Sequence, residues 1–324
     1  MLEELNGKVV LIHHWDTDGI CSAAMLLNHF KDANITNWTP YIGAFYITPE
    51  QINHLGVYDH AIIVDISLPE ENILSLSNET RVTIFDHHHQ SEIKTVKHIN
   101  PVALGSSPED YPSCTWVIRE HLNQKYNLLS ILGLVGDLGS KIEKSLSLKS
   151  IVNEFCVDNN TCYDELLRMV QLIDSSYQVG DREGVTNAAR YLQAASQTGI
   201  LNNPAWLKNK NKFDETVKEM LHDPPEDISG VLFKKLDTCY SVISTITREI
   251  AWSYSRNTVV LNIGFFPNQD QLYARSQEMD MRPLIERAKM LGLNAGGKSD
   301  VLGVIIPKDA TDAFLREVIQ FLKD

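Results

Sequence analysis

The hexapeptide His14-Trp15-Asp16-Thr17-Asp18-Gly19 holds two kinds of hard metal ligand within five positions. On an extended chain, residues i and i+2 point to the same side, so His14, Asp16 and Asp18 can share one face. Gly19 lets the backbone turn tightly into whatever follows. A mixed imidazole and carboxylate set suits Mn²⁺, Mg²⁺ or a similar divalent ion better than zinc in a thiolate cage. Taken alone, the same residues read equally well as a strand-to-helix turn with an Asp cap. The run Asp86-His87-His88-His89 offers one histidine for a metal and a neighbour free to donate to a phosphate oxygen; alone it reads as a polar loop. Asp65 closes AIIVD and Asp137 sits in GLVGDLG, where each taken singly is a cap or turn residue. Together, Asp16, Asp18, Asp65, Asp137, His14 and His87 suffice for two metals if one carboxylate bridges. Two ions about 3.5–4 Å apart clamp a phosphate, activate a water and stabilise the leaving oxygen. The combination predicts metal-dependent phosphoester chemistry.

Parallel α/β architecture is what would bring these residues together. KVVLIHH (8–14), AIIVDIS (61–67) and RVTIFDHH (81–88) are apolar until their carboxyl ends, where acids or histidines appear. Near-continuous apolar runs mark strands buried on both faces. In an open parallel sheet the carboxyl ends form the ligand crevice, so Asp16, Asp65 and Asp86 are expected to converge. ICSAAMLLNHF (20–30), CTWVIREHL (114–122), LLSILGLVGD (128–137) and much of 162–197 read as helical. The stretch 199–229, dense in Pro, Asn and charge, reads as a linker between a catalytic domain over 1–198 and a smaller α/β domain over 230–324. In the latter, GVLFKKL, TVVLNIGFF, LYARS and VLGVIIP read as strands, with helices near 241–255, 282–292 and 311–323.

The 324 residues carry a formal net charge of -13, from 29 Lys+Arg against 42 Asp+Glu. A general duplex-DNA binder shows a basic footprint, because phosphate neutralisation supplies its non-specific affinity. This chain lacks one, so an anionic substrate would be short, or neutralised by metals and a local basic patch. The 5 cysteines follow no CxxC spacing, which argues against a disulfide framework or a structural zinc site and predicts reduced, mostly buried thiols. The start MLEELNGKVV lacks the basic and apolar regions of a signal peptide. The longest apolar runs, such as LLSILGLVG, are too short to span a bilayer. A cytoplasmic protein with no membrane attachment is expected.

HWDTDG, the Val64-Asp65 pair, Asp86-His87-His88 and Gly136-Asp137 resemble the four motifs of the DHH phosphoesterase superfamily. LYARS followed by NAGGKSDVLG looks like the DHHA1 substrate-binding domain that often accompanies it, so the resemblance runs from about residue 8 to the end. The form HxDxDG is similar to that of archaeal RecJ-like nucleases and short-oligonucleotide phosphodiesterases, and points away from family II pyrophosphatases. The resemblance implies Mn²⁺-dependent cleavage of phosphodiester bonds, with Mg²⁺ or Co²⁺ as possible substitutes, and usually exonucleolytic. It implies that His14 and Asp16 bind one metal, that Asp18, His87 and Asp137 bind the other, and that Asp65 bridges. Asp86 would orient His87, and His88 would contact the scissile phosphate.

In the second domain the resemblance assigns Arg275 and Ser276 to the substrate's phosphate or terminal nucleotide, and Gly296 and Gly297 to close backbone approach. Where the family usually carries GGH, this chain has Gly296-Gly297-Lys298. Lysine still pairs with phosphate as a point charge but lacks the flat ring. Trp15, Tyr111, Trp252 and Tyr273 are aromatic enough to stack bases, and each reads first as core packing. The expected partner is single-stranded RNA or DNA or a short oligonucleotide, with replication or repair proteins as possible associates. Two alternatives stand beside this reading: a phosphatase or phosphodiesterase of a small metabolite or cyclic dinucleotide, and a replication-complex subunit with little or no activity. Intact candidate ligands weigh against the latter.

Overall fold

The computed structural model describes residue 5 and residues 7–323. The chain forms two compact units. One runs to Tyr177 and resumes at Asp181–Lys210; the other comprises Gln178–Gly180 and continues from Asn211.

The first unit contains, in order, β1 (Lys8–His13), α1 (Thr17–His29), β2 (Asn34–Trp38), α2 (Pro49–Leu55), β3 (His60–Val64), α3 (Glu70–Ser77), β4 (Arg81–Phe85) and β5 (Lys97–Ile99). Helices α4 (Cys114–His121), α5 (Leu128–Leu138), α6 (Leu146–Asp158), α7 (Tyr163–Gln178), α8 (Arg182–Leu192) and α9 (Gln197–Leu201) follow. The strands form one all-parallel sheet in the order β2-β1-β3-β4-β5. The chain leaves β1 for one neighbour and returns on its other side at β3, which makes the β1/β3 boundary the switch point where such sheets bind ligands. Strand β3 is buried along its whole length and β1 along all but its first residue, as expected for strands covered on both faces.

Register places His13 beside Val64 and Val64 beside Phe85. The ladder extends one step further, with His14 N–H donating to Val64 O, Asp65 N–H to Phe85 O and Asp86 N–H to Ile99 O. The residue that follows each strand therefore emerges level with its neighbours. Of the two histidines closing β1, His13 is fully buried and faces Asn37, whose amide lies 3.0 Å from its Nε2. Only His14 reaches the crevice side.

The 199–229 stretch, expected as a linker, is largely helical: α10 spans Pro204–Met220, and the division between the units falls inside it. Trp206 is buried in the first unit; Phe213 is buried in the second, with Val217 and Met220 against the same cluster. Spacings of 7, 4 and 3 along one helical face explain the fold, and the intervening lysines and acids hide that period in the sequence.

The second unit continues with β6 (Glu226–Ile228), β7 (Val231–Leu236), α11 (Ile243–Tyr254), β8 (Thr258–Asn262), β9 (Gln269–Arg275), α12 (Arg282–Met290), β10 (Asn294–Lys298), β11 (Val301–Pro307) and α13 (Thr311–Phe321). Its sheet order is β10-β11-β9-β8-β7-β6, antiparallel except between β7 and β8. Alternation along β8 sends Val259 and Leu261 to a core shared with α12 and α13, and Val260 to a second core under α11, so both faces are covered.

Candidate metal centre

Asp65 is 2% exposed and adopts φ 59, a left-handed conformation that Asp tolerates better than most residues but that still costs free energy. This turn carries the carboxylate into the centre of the crevice. Its Oδ2 lies 3.9 Å from His14 Nδ1, and its Oδ1 lies 3.4 Å from His87 Nε2. On one side, His14 Nδ1 is 2.8 Å from Asp16 Oδ2. On the other, His87 Nε2 is 3.0 Å from Asp137 Oδ2 and 4.0 Å from Asp18 Oδ2. The donor atoms of His14, Asp16 and Asp65 lie within 4.8 Å of one another, as do those of Asp18, His87 and Asp137.

Each side is held from outside. The Asp16 carboxylate caps α1 by accepting from Gly19 N–H at 3.1 Å. Asp18 accepts backbone N–H groups of Cys114 (2.6 Å) and Thr115 (3.0 Å) at the start of α4, where helix termini favour a negative charge. Between them, Thr17 gives both its N–H and its hydroxyl to Asp174 Oδ1, at 2.9 and 2.7 Å. Gly133 makes room: a Cβ there would collide with Asp18 Oδ1 and Thr115 Oγ1. Asp174, Thr115 and Gly133 escape sequence reasoning because each sits inside a helix and shares no period with the motifs.

Several polar atoms at this centre, His14 Nδ1 and Nε2, Asp65 Oδ1 and His87 Nε2, are buried without a hydrogen-bond partner. Buried polar groups are normally satisfied, and atoms aimed at one another within 4 Å but out of hydrogen-bond alignment are arranged for a shared cation. The oxygen and imidazole donors fit Mn²⁺ or Mg²⁺ and lack the thiolates that select zinc in structural sites. The residues present therefore fit two divalent ions.

Electrostatics agree. Burial, with Asp137 and Asp16 nearby, pushes Asp18 up to about 6. Burial, then Asp18, Asp16 and Asp137, raises Asp65 well above the carboxylate range. Burial also opposes the charge on Asp16, yet His14 and the Gly19 N–H hold it at about 2. Burial works against a charged His87, but Asp137 and Asp18 outweigh it and raise the ring to about 9. A histidine raised in the folded state binds more protons than the unfolded chain between about 6.5 and 9. Its stabilisation of the metal-free protein is complete below the unfolded value and lost as pH rises through about 9. Metal must displace this proton. Calorimetry at pH 7.5 in buffers of different ionisation enthalpy is expected to show release of about one proton or more on Mn²⁺ binding, with affinity rising toward pH 9; proton-neutral uptake would contradict this assignment.

Asp86 is fully buried, and its ring partner is His88 rather than His87. Oδ1 accepts His88 Nδ1 at 2.7 Å and reaches His87 only through its backbone N–H at 2.8 Å. Oδ2 accepts the Gln90 side-chain amide at 2.6 Å. With Nδ1 committed, Nε2 is the remaining polar atom of a half-exposed His88 ring. Burial disfavours charge on His88, and Asp86 overcomes it and raises the pKa.

In the second unit, Arg275 Nη1 pairs with Asp300 Oδ2 at 2.8 Å. Ser276 is buried: its Oγ lies 3.3 Å from Asn257 Oδ1 and accepts Met279 N–H at 2.8 Å, so the hydroxyl organises a turn within the unit. Gly296, Gly297 and Lys298 lie on the edge strand β10, exposed to solvent. At Gly297, φ is 153 and a Cβ would strike Val301 O, so only glycine fits. Around Gly296 the space is open.

A parallel α/β domain with histidine and carboxylate clusters at the carboxyl edge of its sheet, together with a mixed-sheet domain, defines the class. Residues 8–139 match the family model described as DHH family, N-terminal domain. No curated protein matches the chain by sequence. Among solved structures, RecJ from Thermus thermophilus in complex with Mn²⁺ is similar over 98% of this chain, with TM-score 0.69 and 16% identity; the chain spans 52% of that protein's length. An exonuclease RecJ bound to manganese aligns over 98% of this chain and 90% of its own, with TM-score 0.67 and 15% identity. A Vibrio pGpG-specific phosphodiesterase, PggH, aligns over 97% of this chain and 99% of its own, with TM-score 0.52 and 15% identity. The fold is thus the RecJ-like DHH/DHHA1 fold. Among the described residues no helix is long and apolar enough to cross a membrane.

Proposed function

We propose that the chain is a Mn²⁺-dependent phosphodiesterase acting on single-stranded RNA or DNA, or on short oligonucleotides, in the manner of a RecJ-like exonuclease. The observation that carries this is Asp65, one buried carboxylate whose two oxygens face the His14/Asp16 side and the His87 side. His14, Asp16 and Asp65 would hold one ion, and Asp65, Asp18, His87 and Asp137 the other. When bound, such a pair supplies a water of lowered pKa and positive charge opposite the departing oxygen. His88, its Nδ1 tied to Asp86, donates from Nε2 to a non-bridging phosphate oxygen, and its raised pKa favours the cationic donor. Replacing Asp86 by Asn keeps an oxygen that can accept from Nδ1 but removes the negative charge that holds the His88 ring cationic. Activity at saturating metal is expected to fall about 10- to 100-fold, the usual cost of losing an outer partner. Unchanged turnover would remove His88 from the reaction.

A second reading, a phosphodiesterase of dinucleotides, draws on the net charge of -13, which disfavours long polyanions. Purified protein, Mn²⁺ and end-labelled RNA and DNA from dinucleotide upward separate the two. Activity that persists with length, and vanishes in Asp65→Asn, supports the exonuclease; activity confined to the shortest substrates supports the second reading. No cleavage at any length, with Mn²⁺ bound, would sink both.

A further inference from the structure

The loop joining β2 to α2 turns three large aromatic side chains outward: Tyr41, Phe45 and Tyr46 are 55%, 44% and 39% exposed. It is not a loose loop. Ile42, Ala44 and Ile47 are buried beneath it, Ala44 N–H closes a turn on Tyr41 O, and Ile47 N–H donates to Asn72 Oδ1 at 2.8 Å. At its start, the Arg182 guanidinium lies over the Trp38 and Tyr41 rings and donates from Nε to Thr39 O at 2.9 Å. At its end, Thr48 and Gln51 cap α2 reciprocally. Aromatic surface held this firmly in water is expensive unless something covers it.

Its position says what would. The Phe45 ring lies 5.8 Å from the His14 ring and 5.0 Å, edge-on, from the buried Trp15 ring. It therefore borders the candidate metal centre on the His14 side. A flat apolar ring one residue's breadth from a phosphate-binding centre matches the spacing between a phosphodiester and its attached base. Stacking is sequence-tolerant, since every base has a π-face.

We infer that Phe45, with Tyr46 beside it in sequence, forms a stacking site for the unpaired nucleobase attached to the phosphodiester being cleaved. This inference rests on the phosphodiesterase reading above and adds the substrate group that the first unit recognises. Because the platform grips one base and no sequence pattern, it places an unpaired nucleotide rather than a duplex next to the centre.

The test uses two readouts. The first is the fluorescence of a non-hydrolysable phosphorothioate dinucleotide carrying 2-aminopurine, which is quenched on stacking. Wild type with Mn²⁺ is expected to quench it; Phe45→Ala is expected to lose the quench and weaken binding about 5- to 150-fold, the range of one base stack, and Phe45→Trp is expected to restore both. The second compares hydrolysis of a base-carrying dinucleotide with that of its abasic counterpart. The wild-type preference for the base should collapse in Phe45→Ala, appearing in KM more than in kcat. If Phe45→Ala lowers both substrates equally, Phe45 only supports His14 and the inference falls. If wild type cleaves nothing, the phosphodiesterase reading falls, and the quench still decides the platform: present and lost in Phe45→Ala supports it, absent overturns it.

Discussion

Asp65→Asn is expected to abolish hydrolysis and to remove the metal-induced rise in thermal stability. Asparagine is the informative change because it accepts the φ of 59 at this position nearly as well as aspartate does. The backbone therefore stays in place while the charge and one anionic oxygen are lost. Asp65 faces both donor groups, so the loss is expected to exceed the about 10- to 100-fold cost of removing an outer partner. Stability of the chelator-treated protein should move in the other direction or hardly at all. In the metal-free molecule Asp65 is disfavoured as an anion by burial and by Asp18, Asp16 and Asp137, and the substitution removes that repulsion. Melting curves with EDTA and with Mn²⁺ check the pair of effects. A variant that keeps its Mn²⁺-induced stabilisation would show that Asp65 is not shared between two ions.

Gly133→Ala is expected to damage the same centre without replacing a ligand. Alanine normally strengthens a helix interior relative to glycine by about 1 kcal/mol. Here the new Cβ would collide with Asp18 Oδ1 and Thr115 Oγ1, and Asp18 cannot yield, because two α4 N–H groups hold its oxygens. Helix α5 must move instead, carrying Asp137, one turn further along, away from His87. Overpacking of this kind costs about 1–3 kcal/mol. Gly136→Ala is the matched control: its nearest neighbour would be Thr17 Cβ at 3.3 Å, a contact that a small shift relieves. Urea denaturation and Mn²⁺ titration of the two variants should separate them clearly. A Gly133→Ala protein that binds metal like wild type would show that α5 is more yielding than its packing implies.

The convergence of the motifs was legible in the sequence because it depends on strand polarity. Apolar runs that end in acids or histidines can only place those residues along one edge of a parallel sheet. Which histidine of the pair at 13 and 14 enters the crevice follows from alternation along β1, and the partner of Asp86 does not follow from anything local. His87 and His88 are adjacent, and only the folded loop shows that the carboxylate takes the ring of His88. The short edge strands β2 and β5 carry too few buried residues to announce themselves. Helix α10 was hidden by its charges, since its apolar positions serve two different cores. The aromatic loop escaped for a related reason: Phe45 and Tyr46 lie in neither a helical nor an alternating pattern, whereas the aromatics singled out by composition include Trp15, which is buried.

The centre draws on residues from position 14 to position 137, spread over the ends of β1, β3 and β4, the first turn of α1 and the last turn of α5. Cations seated there would act as removable cross-links, closing loops of about fifty and about a hundred residues that no disulfide closes. Loop closure of that size constrains the unfolded chain much as a covalent bridge does, and a ligand that binds only the native state stabilises it by mass action. Resistance of the first unit to proteolysis would then serve as a gauge of free divalent cation, and the lifetime of the chain would follow the same ions as the proposed chemistry.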